Sequence, residues 1–257
     1  MTAVVPLPNN AETLLTKVRL IFDTFEGEQQ QLTLSDIARR SSLAKSTVYR
    51  LVAELVEHGY LDRAGTAYQL GTRLFALGQR VPAHEELRQT ALPYMATLFK
   101  AVRAPVFLGV LGHHEVLYVE KLIGTRDAHS AHPIRHRAPL HATASGKIFL
   151  AYARPSPLES LRQSDLRRFT AQTIDSFATL RDTVTEVRRA GYAVMREEYT
   201  DGYGAVAVPL LTAARELAGA LSVLPHMSRM SVSRIVPPLQ ITARRLMARY
   251  ESRQASR

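Results

Sequence analysis

The chain has 257 residues, of which 46% are hydrophobic and 22% charged, with no cysteine and a formal net charge of +10. This length suggests one or two domains with enough apolar material for an unaided core, and the missing cysteines exclude disulfides, thiolate zinc sites and cysteine nucleophiles. No uninterrupted apolar run reaches the roughly 18 residues of a transmembrane helix, and the first ten residues, with Pro6 and Pro8, lack the apolar stretch of a signal peptide, so a cytoplasmic protein is expected.

Charge does not by itself point to nucleic acid. Residues 1–84 carry nine Lys and Arg against eight Asp and Glu, whereas residues 85–257 carry 24 against 15. The excess, much of it between Arg229 and Arg257, reads as a solvated helix face.

Taken in chain order, Leu14, Leu15, Val18, Ile21, Phe22 and Phe25 recur every three or four residues and predict a first helix. A short helix follows over 35–40, capped by Thr33 or Ser35 with Asp36 in its first turn. Residues 41–43 read as a tight turn. A third helix over 44–58 has Val48, Leu51, Val52, Leu55 and Val56 as its apolar face, and Gly59 at its left-handed cap. Two short strands, 60–63 and 67–70, flank a three-residue loop at Ala64-Gly65-Thr66. Residues 72–79 form a short helix that Pro82 breaks, and a connector helix over 85–101 holds Pro93 as a candidate kink. Beyond Pro105 the texture becomes β-rich, with strands at 106–111, 116–119, 192–195, 205–210 and 217–224. Helices fall at 145–153, 180–190 and 232–250. The mixture predicts an α+β protein: a winged helix-turn-helix domain over 10–80, a linker helix over 81–101 and a second, mixed helix-and-strand domain over 102–253.

A helix-turn-helix sets the start of its second helix in the major groove. That start is Ala44-Lys-Ser-Thr-Val-Tyr-Arg50, where Lys45, Ser46, Thr47, Tyr49 and Arg50 are hydrogen-bond donors on the side away from Val48, Leu51 and Val52. Arg suits a guanine edge, and Ser and Thr suit phosphate or base. Arg39 and Arg40, at the end of the preceding helix, are placed for phosphates, and Arg63 and Tyr68 sit on the wing.

The stretches 34–60 and 68–78, followed by Pro139-Leu-His-Ala-Thr-Ala-Ser-Gly-Lys147, Gly191-Tyr-Ala-Val with Glu197-Glu198, and Ala220-Leu-Ser-Val223, resemble the IclR-type transcriptional regulators in sequence and order. The resemblance spans about residues 12–250. It implies a GAF-like second domain that binds small effectors, often carboxylic acids, and a dimer or dimer of dimers on double-stranded operator DNA. Ala44 stands where the family usually has Pro; since Ala favours helices, little effect is expected.

Thr143, Ser145 and Gly146 precede an apolar helix, and small residues at a helix N-terminus offer N–H groups and a positive dipole end to a carboxylate; the plain alternative is a cap made by Thr143 or Ser145. By the resemblance, Met195, Ala205, Ser222 and Leu224 complete the effector site, with Tyr203 as an aromatic wall beside it. Three of these depart from the family: Met195 replaces an acidic residue, Ala205 a Cys and Leu224 a Ser. Each change removes polarity, so a relatively apolar or aromatic acid is expected.

Among the nine histidines, His113, His114, His129, His132, His136 and His141 suggest metal. Their spacings place no set on one helix face and no carboxylate follows, so neither metal nor cofactor is expected. Nothing resembles a nucleophile elbow or a phosphate loop, so no enzyme is expected. Two other readings stand beside a ligand-responsive regulator: a second domain that serves oligomerisation only, and an enzyme fused to a DNA-binding segment.

Overall fold

The computed structural model describes residues 13–26, 29–78, 82–124 and 137–255. The chain divides into two compact units, Met1–Val81 and Pro82–Arg257.

In the first unit, helices α1 (Leu14–Asp23), α2 (Leu34–Ser41) and α3 (Lys45–Glu57) pack on a three-stranded antiparallel sheet of order β1-β3-β2. Thr33 starts α2 as a full capping box: its hydroxyl accepts from Asp36 N while Asp36 reaches back to the Thr33 N–H. Ser42 ends α2 in the left-handed region at φ 57° and turns the chain into α3. Val48, Leu51, Val52 and Leu55 are buried with Ile21, Ile37 and Leu61, each such burial contributing about 1.5–3 kcal/mol. Gly59, at φ +71°, follows α3 as expected. The wing is β2 (Leu61–Ala64) and β3 (Ala67–Leu70). Ala64 pairs with Ala67, so the loop is the two-residue turn Gly65-Thr66 and not the expected three, with Gly65 at φ +63° supplying the reversal. The sequence reading lacked β1 (Leu32–Thr33), which pairs Leu32 with Tyr68; two residues carry no readable period. Helix α4 spans Thr72–Gly78.

The second unit is a six-stranded antiparallel sheet of order β6-β5-β4-β9-β8-β7, with β4 at Val106–Leu111, β5 at Glu115–Leu122, β6 at Arg137–Pro139, β7 at Ala193–Arg196, β8 at Gly204–Leu211 and β9 at Leu217–Val223. Helices cover both faces. Phe107, Ala205, Ala207, Ala220 and Leu224 face α6 (Ala144–Tyr152) and α7 (Phe177–Ala190). The alternate residues Val106, Leu108, Val206, Val208, Leu221 and Val223 face α5 (Pro82–Val102) and α8 (Val232–Gln254). Double coverage explains why these strands read as continuous apolar runs although the sheet is antiparallel. Pro82 begins α5 where a break was expected, because the first turn of a helix has no partner for the N–H that proline lacks. Leu87, Ala91, Met95 and Leu98 of α5 belong to this unit's core.

The small side chains on the α6 face of β8 and β9 let α6 lie close to the sheet. Gly146 lets the segment that leads from β6 into α6 double back against the helix: a Cβ there would stand 2.2 Å from the Leu140 carbonyl oxygen.

Candidate functional site

On α3, Lys45, Ser46, Tyr49 and Arg50 are exposed and Thr47 is half-buried, on the side away from the buried Val48, Leu51 and Val52. Tyr49 is 62% exposed, a large ring that its own domain leaves uncovered. Ala44 is the N-cap, at φ −58° and ψ 136° with no side-chain cap, so the first-turn N–H groups remain open to a phosphate. The helix propensity of Ala is not used there; Ala44 matters because its backbone already has the φ that proline fixes. Arg39 pairs with Asp36 at 3.2 Å. Arg40 donates to the Thr24 carbonyl at 3.4 Å and to Gln29 Oε1, both within its own unit. Arg63 lies over the ring of Tyr68, 5.9 Å from its centroid, and Tyr68 is buried, so Arg63 is the outward group of the wing.

In the second unit the fold gathers residues far apart in sequence. Ser145 Oγ donates to Ser222 Oγ at 3.1 Å. Thr143 caps α6, accepting from Gly146 N at 3.1 Å and donating to the Pro139 carbonyl at 2.8 Å. The plain cap is thus present, and it takes one N–H of the first turn. Tyr118, missing from the sequence reading, hydrogen-bonds with Ser145 and Thr143; burial pushes its hydroxyl up to about 12, and these bonds oppose the shift. Met195 and Ala205 are register partners on β7 and β8, and Ser222 stands between Ala207 and Phe107 on the same face. Met195, Ala205, Ser222 and Leu224 are all buried. Tyr203 is half-buried, its ring 5.5 Å from that of His226. Tyr203 and Leu224 also line a cavity of about 950 Å³ at the end of the sheet.

The other feature absent from the expected set is an ion pair. Lys147, 2% exposed, donates from Nζ to Glu198 Oε1 at 2.6 Å and to the Val194 carbonyl at 3.0 Å. Burial pulls the ammonium below its ordinary range, and the Glu198 carboxylate opposes that shift. Glu198 Oε2 is buried with no hydrogen-bond partner among the described residues. A signal existed: Lys147 interrupts the run Ala144-Ser-Gly-Lys-Ile-Phe-Leu150, and a cation inside a fully buried helix must be paired.

His141 donates from Nε2 to the Arg167 carbonyl at 3.0 Å and stacks near Phe169, which meets Tyr199 edge-on. Burial is the largest influence on the ring and lowers its pKa below the ordinary value. The unfolded chain then takes up a proton before the folded one, so this group makes stability fall as pH drops below about 6.5 and leaves it flat above. Urea unfolding at pH 7.5, 6.5 and 5.5 is expected to show a shallower decline for His141→Gln than for the natural chain. Equal declines would assign the pH dependence to other groups.

Among the described residues no cluster of His, Asp and Glu is arranged to hold a metal; His113 and His114 lie at the β4–β5 turn, and His129, His132 and His136 fall outside the described residues. No helix among the described residues is long and apolar enough to cross a membrane.

A winged helix-turn-helix with an open donor face, joined to a unit whose doubly covered sheet encloses a polar cluster, defines a two-domain DNA-binding regulator. The chain matches the IclR helix-turn-helix domain over residues 15–65 and the family described as bacterial transcriptional regulator IclR C-terminal over residues 79–248. It belongs to the IclR family of transcriptional regulators. It is 32% identical over 212 residues to the HTH-type transcriptional regulator XynR of Escherichia coli, covering 81% of this chain and 84% of the relative. It is 34% identical over 232 residues to the glycerol operon regulatory protein of Streptomyces coelicolor, covering 88% and 90%. Its fold is similar to the crystal structure of an IclR homolog from Microbacterium hydrocarbonoxydans complexed with 4-hydroxybenzoate, with TM-score 0.79, 30% identity, and coverage of 93% of this chain and 100% of the other.

Proposed function

We propose that the second unit senses a relatively apolar or aromatic carboxylic acid, and that its binding modulates operator binding by the first unit. The observation that carries this reading is the Ser145–Ser222 hydrogen bond at the start of α6, among the apolar neighbours Met195, Ala205 and Leu224. The free N–H groups of Ala144 and Ser145 and the two hydroxyls bind the carboxylate; the apolar wall accepts the body of the ligand. The similar Microbacterium protein complexed with 4-hydroxybenzoate supports an acid of this class. On the DNA, Arg50, Lys45, Ser46, Thr47 and Tyr49 face the major groove, with Arg39, Arg40 and Arg63 toward the backbone.

In this reading residues 10–80 bind DNA, 81–101 link the units and 102–253 form a GAF-like effector domain. The protein works in the cytoplasm as a dimer or dimer of dimers without catalysing a reaction.

A thermal-shift series with 4-hydroxybenzoate, benzoate, pyruvate and glyoxylate tests the effector class. At about 100 times its dissociation constant a true effector adds roughly 2.7 kcal/mol, a shift of several degrees. The aromatic acids are expected to give the larger shifts, reduced in Ser222→Ala, and to change affinity for operator DNA. A two-carbon acid as the tightest ligand would sink the apolar-effector reading, and a flat series would favour a domain that only oligomerises.

A further inference from the structure

The cavity of about 950 Å³ at the end of the sheet lies where α5 finishes and α8 begins. Lys100, Arg103, Arg229 and Arg234 line it, and among the described residues no acidic side chain does. All four are exposed, and none forms an ion pair among the described residues. Phe99 and Ile235 supply apolar wall between the cations. Arg103 is held at a left-handed φ of 49° with its N–H on the Phe99 carbonyl at 2.9 Å, which fixes where this cation starts. The N-terminus of the 23-residue α8 opens onto the same cavity at Ser231, whose side chain does not cap the first turn. Four cations and a positive helix end around one concavity repel one another, and low-dielectric walls focus their field into the space they enclose.

We infer that this cavity is a second ligand site, selective for a small molecule carrying two or more carboxylate or phosphate groups. It shares Tyr203 and Leu224 with the expected effector residues but none of Thr143, Ser145 and Ser222. The multiple charge of the ligand follows from the count of cations: a single carboxylate satisfies one or two of them and leaves the others in mutual repulsion. Guanidinium groups favour such oxyanions through paired, charge-assisted hydrogen bonds. Occupancy would tie the C-terminal end of α5 to the N-terminal end of α8, independently of any acid at α6.

Isothermal titration of the full chain at low salt with citrate and, separately, inorganic pyrophosphate tests the site. At least one probe is expected to bind saturably at one molecule per chain, with affinity falling as salt rises. The double variant Arg229→Gln/Arg234→Gln, at two exposed positions, is expected to weaken it by about tenfold or more, while Ser222→Ala leaves it unchanged. Binding of citrate alone assigns a polycarboxylate, and of pyrophosphate alone a phosphorylated ligand; either supports the site. Absence of saturable binding by both probes, or binding insensitive to the double variant, overturns it. So does loss of binding in Ser222→Ala, which would place the anion at α6. Loss of DNA affinity in the double variant without anion binding would assign these arginines to phosphates of DNA and also overturn the inference.

Discussion

Replacing Lys147 with methionine is expected to destabilise the second unit by about 3–5 kcal/mol, the cost of leaving one member of a buried ion pair without its partner. Methionine nearly matches the lysine stem in volume, so a cavity adds little. What remains is the charge. Glu198 Oε1 loses its 2.6 Å partner while Oε2 already has none among the described residues, and the Val194 carbonyl loses a donor at the start of β7. Urea unfolding at pH 7 should show the full deficit. The double variant Lys147→Met/Glu198→Gln removes both charges and is expected to recover most of the loss, since an ion pair replaced as a unit often costs little. A single variant within 1 kcal/mol of the natural chain at pH 7 would show that the pair carries no such constraint.

The helix-turn-helix was legible because each of its signals is local. The apolar period of α3 named the residues that are buried, Val48, Leu51, Val52 and Leu55, and the donors fall on the remaining positions of its first two turns, all exposed but the half-buried Thr47. Thr33 and Gly59 marked helix ends by chemistry that acts within a few residues. The effector cluster has no such local signal. Ser145 and Ser222 are 77 positions apart and meet only because β9 lies under α6, so periodicity could not pair them; the family resemblance could. Tyr118 was invisible for the same reason: it sits in a strand whose alternation announces burial but not which neighbour its hydroxyl meets. The Lys147–Glu198 pair was half legible, since the buried cation demands a partner but does not say which. The missed strands β1 and β6, of two and three residues, hold fewer positions than a period needs. The orientation of Arg40, turned onto Thr24 and Gln29, depends on where the chain after α1 comes to rest, which no property of α2 encodes.

Replacing Arg50 with alanine is expected to weaken operator binding by about 1–3 kcal/mol and to relax the preference at one base position. Arg50 is exposed on α3, one turn beyond Ser46 and beside Tyr49, and forms no ion pair among the described residues, so its guanidinium is free to take a bidentate contact with a guanine edge. For the same reason the stability of the folded domain should change by no more than about 0.5 kcal/mol, which separates loss of recognition from loss of fold. Lys45 differs from Arg50 in both chemistry and place. It stands at the first position of α3, beside the uncapped N–H groups, and an ammonium there acts as a point charge on phosphate. Lys45→Ala is therefore expected to weaken binding to all sequences alike and to reduce the salt dependence by about one phosphate contact. Arg40→Ala is expected to fall between them: its guanidinium is proposed to face the backbone but is engaged with Thr24 and Gln29, so binding to all sequences should weaken by less than in Lys45→Ala. Fluorescence anisotropy on a selected operator duplex and a scrambled duplex, each across a salt series, distinguishes the three. If Arg50→Ala keeps both its affinity and its preference for the operator, Arg50 does not read a base, and the donors nearer the start of α3 must carry the specificity.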